Sequence, residues 1–218
     1  MKTKILFPAI ILMSALLPVC AGAQTILINP TTLNGSFEDN SSKTTFASGL
    51  VPDWTVWTGV STASNDSGTD VSAAASDGTR DAYLQGGNAD YDLVAYAIQA
   101  GDTFTYTWDW VLQGRGTATA QLGYWNGSSV VAIAGTATSA QSNTGKVLGV
   151  GTTWTVPVGD PSIGDDIAMT ILAPSGSNYP EVDNFVLTVT SVPEPSIAAL
   201  GSLGVLALFA VKRKNCAC

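Results

Sequence analysis

Any covalent chemistry on this chain would have to run on carboxylates or tyrosine. None of the 218 residues is histidine, and the three cysteines, Cys20, Cys216 and Cys218, stand near the two ends. That removes Ser-His and Cys-His nucleophile pairs and the usual zinc hydrolase ligand sets. It also leaves the region between the ends without a disulfide framework. The chain has three glutamates, Glu38, Glu181 and Glu194. Hydrolysis of a glycoside needs two carboxylates flanking one sugar bond. Glu181 and Asp183 alternate onto one side of a strand, about 7 Å apart by strand geometry. That spacing fits many unrelated pairs, so the expectation is that the protein is not an enzyme, with a small carboxylate-dependent polysaccharide hydrolase as the lesser alternative.

Recognition without covalent chemistry has more to work with. Sugars bind on aromatic faces, with polar groups alongside to fix hydroxyl orientation. Three aromatics sit in turn-rich sequence beside such groups: Tyr91 between Asp90 and Asp92, Trp125 next to Asn126, and Tyr179 next to Asn178. The stripe Phe104, Tyr106, Trp108 and Trp110 is read instead as the inward face of a central strand. Trp54 and Trp57 are read as core.

Charge narrows the partners. All seventeen acidic residues lie between Glu38 and Glu194, where only Lys43, Arg80, Arg115 and Lys146 oppose them. The formal charge of -8 for the whole chain therefore conceals an excess of 13 acidic residues in this region. Nucleic acid is disfavoured, because phosphate contact needs basic groups. Divalent cations are compatible partners.

The elements that must position these residues read as strands throughout. Candidates are Thr25 to Ile28, Asp81 to Gln85, Leu93 to Gln99, Thr103 to Leu112, Thr117 to Trp125, Val130 to Ala134, Val147 to Val158, Ile167 to Leu172 and Val182 to Thr190. Thr103 to Leu112 has the clearest period of two, and Asn126-Gly127 is a strong hairpin signal. Ser61 to Thr79, rich in Ser, Ala, Asp and Gly, reads as a long exposed loop. No helix pattern or internal repeat interrupts Gln24 to Ser191. Nine or ten short strands in about 170 residues point to an all-β fold, two packed antiparallel sheets in a jelly-roll β-sandwich.

The ends carry an address. Lys2 and Lys4, the apolar run Ile5 to Val19 and the small-x-small exit Ala21-Gly22-Ala23 compose a signal peptide over residues 1–23, an N-terminal signal helix with cleavage expected after Ala23. At the other end Val192-Pro193-Glu194-Pro195 precedes an apolar run from Ile197 to Val211 and the basic trio Lys212-Arg213-Lys214. Residues 192–218 closely resemble the PEP-CTERM sorting tail of Gram-negative bacterial surface proteins. The resemblance implies a short transmembrane helix, transient anchoring in the inner membrane, processing by an exosortase-type membrane protease or transpeptidase, and release to the cell surface or outside. As a helix the apolar run measures about 22 Å, short for a hydrocarbon core of about 30 Å, which suits a removable address more than a permanent anchor.

Residues 24–191 carry a second resemblance. Asn34-Gly35-Ser36-Phe37-Glu38 with Trp54 downstream, and Val182-Asp183-Asn184-Phe185-Val186-Leu187, look like the first and last strands of carbohydrate-binding jelly rolls of the galactose-binding-like class. That class often holds a structural calcium where those strands meet, which would make Glu38 and Asp183 its side-chain ligands, joined by backbone carbonyls. Without a metal, Glu38 would satisfy backbone donors at a turn and Asp183 would open a strand. The expected protein is thus an exported surface or matrix protein binding glycan or exopolysaccharide without catalysis, with a structural or adhesive sandwich lacking a sugar site as the alternative.

Overall fold

The alternation that begins at Thr103 builds the strand at the centre of the molecule. A computed structural model of the chain describes residues 22–40, 46–48, 53–56, 68–71, 75–84, 89–111, 116–141, 145–174 and 179–192. Its strands belong to one unit, Ala23–Val192. In chain order they are β1 Gln24–Ile28, β2 Phe46–Ser48, β3 Trp54–Val56, β4 Gly68–Val71, β5 Arg80–Tyr83, β6 Ala89–Ala97 and β7 Thr103–Val111, then β8 Ala118–Trp125, β9 Val130–Ala132, β10 Thr138–Ala140, β11 Val147–Thr155, β12 Asp166–Leu172 and β13 Glu181–Thr190. A 3-10 turn covers Glu38–Asn40.

Two antiparallel sheets result. The seven-stranded sheet runs β11-β7-β13-β5-β4-β2, with β1 also on β13; the six-stranded sheet runs β10-β8-β12-β6-β3, with β9 also on β8. The fold is the all-β jelly-roll sandwich expected from the strand pattern. Because side chains alternate across a strand, each sheet gives one face to the core. From β7 that face is Phe104, Tyr106, Trp108 and Trp110, all buried. Phe37, Trp54 and Phe185 join them, with ring centroids 5.2 to 5.9 Å apart, and Trp108 stacks on Phe185 at 6.0 Å. Such aromatic pairs add about 0.5–1.5 kcal/mol each beyond the area they bury. Two of the polar tips inside find partners: the Trp108 indole N–H donates to Thr138 Oγ1 at 2.9 Å, and the Tyr106 hydroxyl lies 2.9 Å from the Ala120 carbonyl; the indole N–H groups of Trp54 and Trp110 are buried without one.

Three local devices fix the register. Asn126 accepts at Oδ1 from the amides of Ser128 and Ser129, each at 3.0 Å, and closes the β8–β9 hairpin with Gly127 at φ 91°. At Gly35 the Phe185 amide donates to the Gly35 carbonyl at 2.8 Å, and a Cβ at Gly35 would fall 2.4 Å from the Phe185 carbonyl oxygen. Asp109 pins two bulges at once. It accepts from the Gly149 amide at 2.7 Å and from Asn184 Nδ2 at 3.1 Å, beside the register shifts of β11 and β13 along β7.

Four strands, β2, β3, β4 and β10, are not among those that the sequence pattern marks. β4 lies inside the stretch read as an exposed loop, pairing with β2 and β5. Gly68-Thr69-Asp70-Val71 has no apolar period of its own, so its neighbours' ladders define it. The signal helix with Ala21 and the tail from Pro193 onward lie outside the described residues, which begin at Gly22 and end at Val192. Among the described residues no helix is long and apolar enough to cross a membrane.

Candidate functional site

Tyr91 and Trp125, 34 residues apart in sequence and two strands apart in the sheet, meet on the outer face of the six-stranded sheet. β12 separates their strands: Tyr91 is opposite Thr170 and Trp125 opposite Asp166. On β8 the inward positions Ala120 and Leu122 are buried, which turns Gln121, Gly123 and Trp125 outward. On β6 buried Asp92 and Val94 face in, which turns Tyr91 and Leu93 outward. The two rings stack across β12 with centroids 6.4 Å apart and planes inclined by 27°, and both residues stay partly exposed.

The floor beside the rings is made of small groups. Gly123 has no room for a side chain, since a Cβ there would lie 2.8 Å from Val130 Cγ1. Ala168 and Thr170 are buried, and the Thr170 hydroxyl donates to the Gln121 carbonyl at 2.8 Å. Leu93 is partly exposed on the same face. The arrangement is two large aromatic surfaces packed over small, buried groups. It can take the flat face of a sugar ring.

The other expected sugar contacts scatter. Asp92 shares β6 with Tyr91 but faces the opposite way, in register with Trp54 and Met169 and only 2% exposed. It cannot line the face that Tyr91 lines. Burial, helped by the nearby charge of Asp53, pushes its carboxyl up to about 7. Its Oδ2 and the Trp54 indole N–H are both buried without a hydrogen-bond partner. Asp90 is placed by register opposite Ile171 and Val56, and its side chain lies outside the described residues. Asn126 uses its amide oxygen in its own turn. Tyr179 packs against Tyr83 at 6.3 Å, a residue of β5 in the other sheet, so it does not join the Tyr91–Trp125 pair. Sequence reasoning missed the floor residues Gly123, Ala168 and Thr170. Only the Gly in a strand offered a signal, as the mark of a close approach.

Glu38 and Asp183 converge on one loop, residues 75–80. Glu38 Oε1 accepts from the Thr79 amide at 2.7 Å and the Arg80 amide at 2.5 Å, and Oε2 from the Thr79 hydroxyl at 3.1 Å. Asp183 Oδ2 accepts from the Ser76 and Asp77 amides at 2.7 and 2.9 Å and from the Ser76 hydroxyl at 3.1 Å, while Oδ1 accepts from the Asn184 amide at 2.7 Å. Burial pushes the Asp183 carboxyl up to about 7 against the pull of those donors. Both carboxylates anchor backbone in this arrangement. Glu38 Oε2 and Asp183 Oδ1 each accept a single hydrogen bond from the described residues. Among the described residues no group of three or more Asp or Glu gathers as a metal cluster. Asp183 is fully buried, so the Glu181–Asp183 pair does not face an open cleft.

No family model and no curated protein matches the chain. Solved structures do. A Stig cyclase, Fisc, from Fischerella sp. TAU, in complex with an indole derivative, has TM-score 0.57 and 14% identity over 77% of this chain and 98% of its own. A cyclase from Fischerella sp. TAU has TM-score 0.57 and 15% identity over 79% of this chain and 100% of its own. The CBM22-1–CBM22-2 tandem domain of Xyn10C from Paenibacillus barcinonensis has TM-score 0.51 and 13% identity, covering 81% of this chain and 48% of the tandem. At these identities the likeness is one of fold. The sandwich is one that both carbohydrate-binding modules and cyclases carry. The expectation that the protein is not an enzyme, which rested on the lack of a distinctive carboxylate pair, is corrected on that ground: the cyclases are enzymes built on this sandwich over nearly their whole length.

Proposed function

We propose that this chain binds glycan on the outer face of its six-stranded sheet, through the stacked pair Tyr91 and Trp125. The observation that carries the reading is that pair: two partly exposed rings, 6.4 Å apart, on the outer face of the sheet. A large aromatic surface left partly in water on a strand, with the core already filled by Phe104, Tyr106, Trp108 and Trp110, is the chemistry that a pyranose face recognises. The carbohydrate-binding modules that share the fold support it at the level of architecture. An uncharged chain of β-linked pyranoses such as xylan is the first ligand to try, because its rings present flat faces at a regular repeat.

Export belongs to the same reading. The signal peptide ending at Ala23 and the PEP-CTERM-like tail from Val192 would deliver the domain outside the inner membrane, where an exosortase-type enzyme would remove the tail and extracellular polysaccharide would be within reach. A structural calcium bridging Glu38 and Asp183 is proposed with it, holding the 75–80 loop.

The test is retention on immobilised polysaccharides. Wild-type protein is expected to be retarded, and Trp125→Ala and Tyr91→Ala are each expected to weaken binding by about tenfold, roughly 1.4 kcal/mol, with unfolding midpoints near wild type. Equal retention of wild type and both variants would remove the pair from the account. A mature surface form that kept Cys216 and Cys218 by mass would remove tail processing.

A further inference from the structure

The Tyr91–Trp125 face has a charge character that its rings alone do not disclose. None of the six strands that make this sheet carries a lysine or an arginine. Of the four basic residues between Glu38 and Glu194, the two in the described residues belong elsewhere. Arg80 is buried on β5, and Lys146, just before β11, donates from Nζ to the Ala75 carbonyl at 2.9 Å. Both therefore go with the seven-stranded sheet.

One carboxylate does stand on the face. Asp166 opens β12, opposite Trp125 on one side and Ala97 on the other. Buried Ile167 faces inward, so alternation turns Asp166 outward, and it is partly exposed. Directly opposed residues on neighbouring strands hold their Cβ atoms about 5 Å apart, which sets the Asp166 carboxylate beside the Trp125 ring. No described residue donates a hydrogen bond to it. Asp109, Asp160 and Asp183 by contrast each accept from the backbone and have structural tasks.

We infer that the face selects glycans that carry free amino groups, with Asp166 taking the ammonium of a 2-amino sugar stacked on Trp125. The inference rests on the glycan-binding reading and gives it a ligand class. Three features act in one direction. A carboxylate stands beside the stacking surface, no cation among the described residues stands near it to neutralise it, and the surrounding acidic excess raises the local concentration of cationic chains while repelling polyuronates. An uncharged chain would still stack on the rings but would gain nothing from Asp166.

The experiment uses the full-length protein in mild detergent and mildly acidic buffer. Its probes are glucosamine oligomers, the same oligomers N-acetylated, oligogalacturonate and a neutral xylan. The glucosamine form is expected to bind about threefold tighter than the acetylated form at low salt, the scale of one exposed ion pair. The advantage should shrink toward parity as ionic strength rises, and oligogalacturonate should bind weakest. Asp166→Asn should abolish the preference and leave binding of the acetylated form intact, whereas Trp125→Ala should weaken both. Equal affinity of wild type for the two oligomers, or a preference that survives Asp166→Asn, overturns the inference. Xylan binding through Trp125 with no binding of glucosamine oligomers overturns it too and leaves glycan binding standing. Binding of none of the four probes overturns both.

Discussion

Replacing Asp92 by asparagine should stabilise the protein, and only above a defined pH. Asp92 is 2% exposed, has an unpartnered Oδ2, and is raised by burial and by Asp53 from 3.8 to about 7. A carboxyl raised in the folded state binds its proton more tightly there than in the unfolded chain. Its contribution to stability is therefore complete below about pH 4, is lost progressively between about pH 4 and pH 7, and is gone above. A shift of about three pK units corresponds to about 4 kcal/mol, an upper figure because water entry and relaxation would relieve part of the strain. The asparagine side chain keeps the shape of the carboxyl and cannot ionise. The difference in unfolding free energy between D92N and wild type should thus be near zero at about pH 4 and reach a few kcal/mol at about pH 8. For a domain of this size that is about 5–15 °C in Tm. Urea unfolding of both proteins at several pH values measures it. Asp183, raised to about 7 as well, adds its own fall of stability across the same window, but it is present in both proteins and cancels in the difference. A D92N variant destabilised equally at every pH, or a wild type whose stability climbs from about pH 5 to about pH 8, would refute the reasoning.

Two further outcomes follow from single contacts. Gly35→Ala should cost about 3 kcal/mol or more and leave little folded protein, because its Cβ meets the Phe185 carbonyl at 2.4 Å where neither backbone can yield; soluble yield and thermal unfolding report it. Glu38→Ala frees the amides of Thr79 and Arg80 and should cost about 2–4 kcal/mol. If calcium also sits there, EDTA should lower the wild-type Tm and leave that of the variant unchanged, and an unchanged wild-type Tm removes the metal.

The fold was legible where a local rule was strong. Phe104 to Trp110 alternates so plainly that its burial could be read from the letters, and Asn126-Gly127 announces its own hairpin. β4 was invisible for the opposite reason: four residues without apolar period become a strand only when β2 and β5 supply ladders on both sides. The pair Glu38 and Asp183 shows an intermediate case. The sequence brought Glu38 and Asp183 together by resemblance, and their convergence on the 75–80 loop appears only with β13 beside β5.

What the sequence alone determined is the set of chemistries open to the protein. Without histidine, with cysteines only near the ends, and with an acidic excess in the centre, it restricts the domain to carboxylates, aromatics and hard cations, and it builds strands. Which of those residues face a ligand was decided by the tertiary structure. Tyr91 and Asp92 are neighbours in sequence, yet a strand sends them to opposite faces, one partly exposed against Trp125 and the other into the core beneath Trp54. Whether a face is inside or outside depends on which sheet covers it, and that pairing joins residues too far apart in the chain for any local pattern to record. Trp125 lies 34 residues beyond Tyr91, and only β12, threaded between their two strands, brings the rings together.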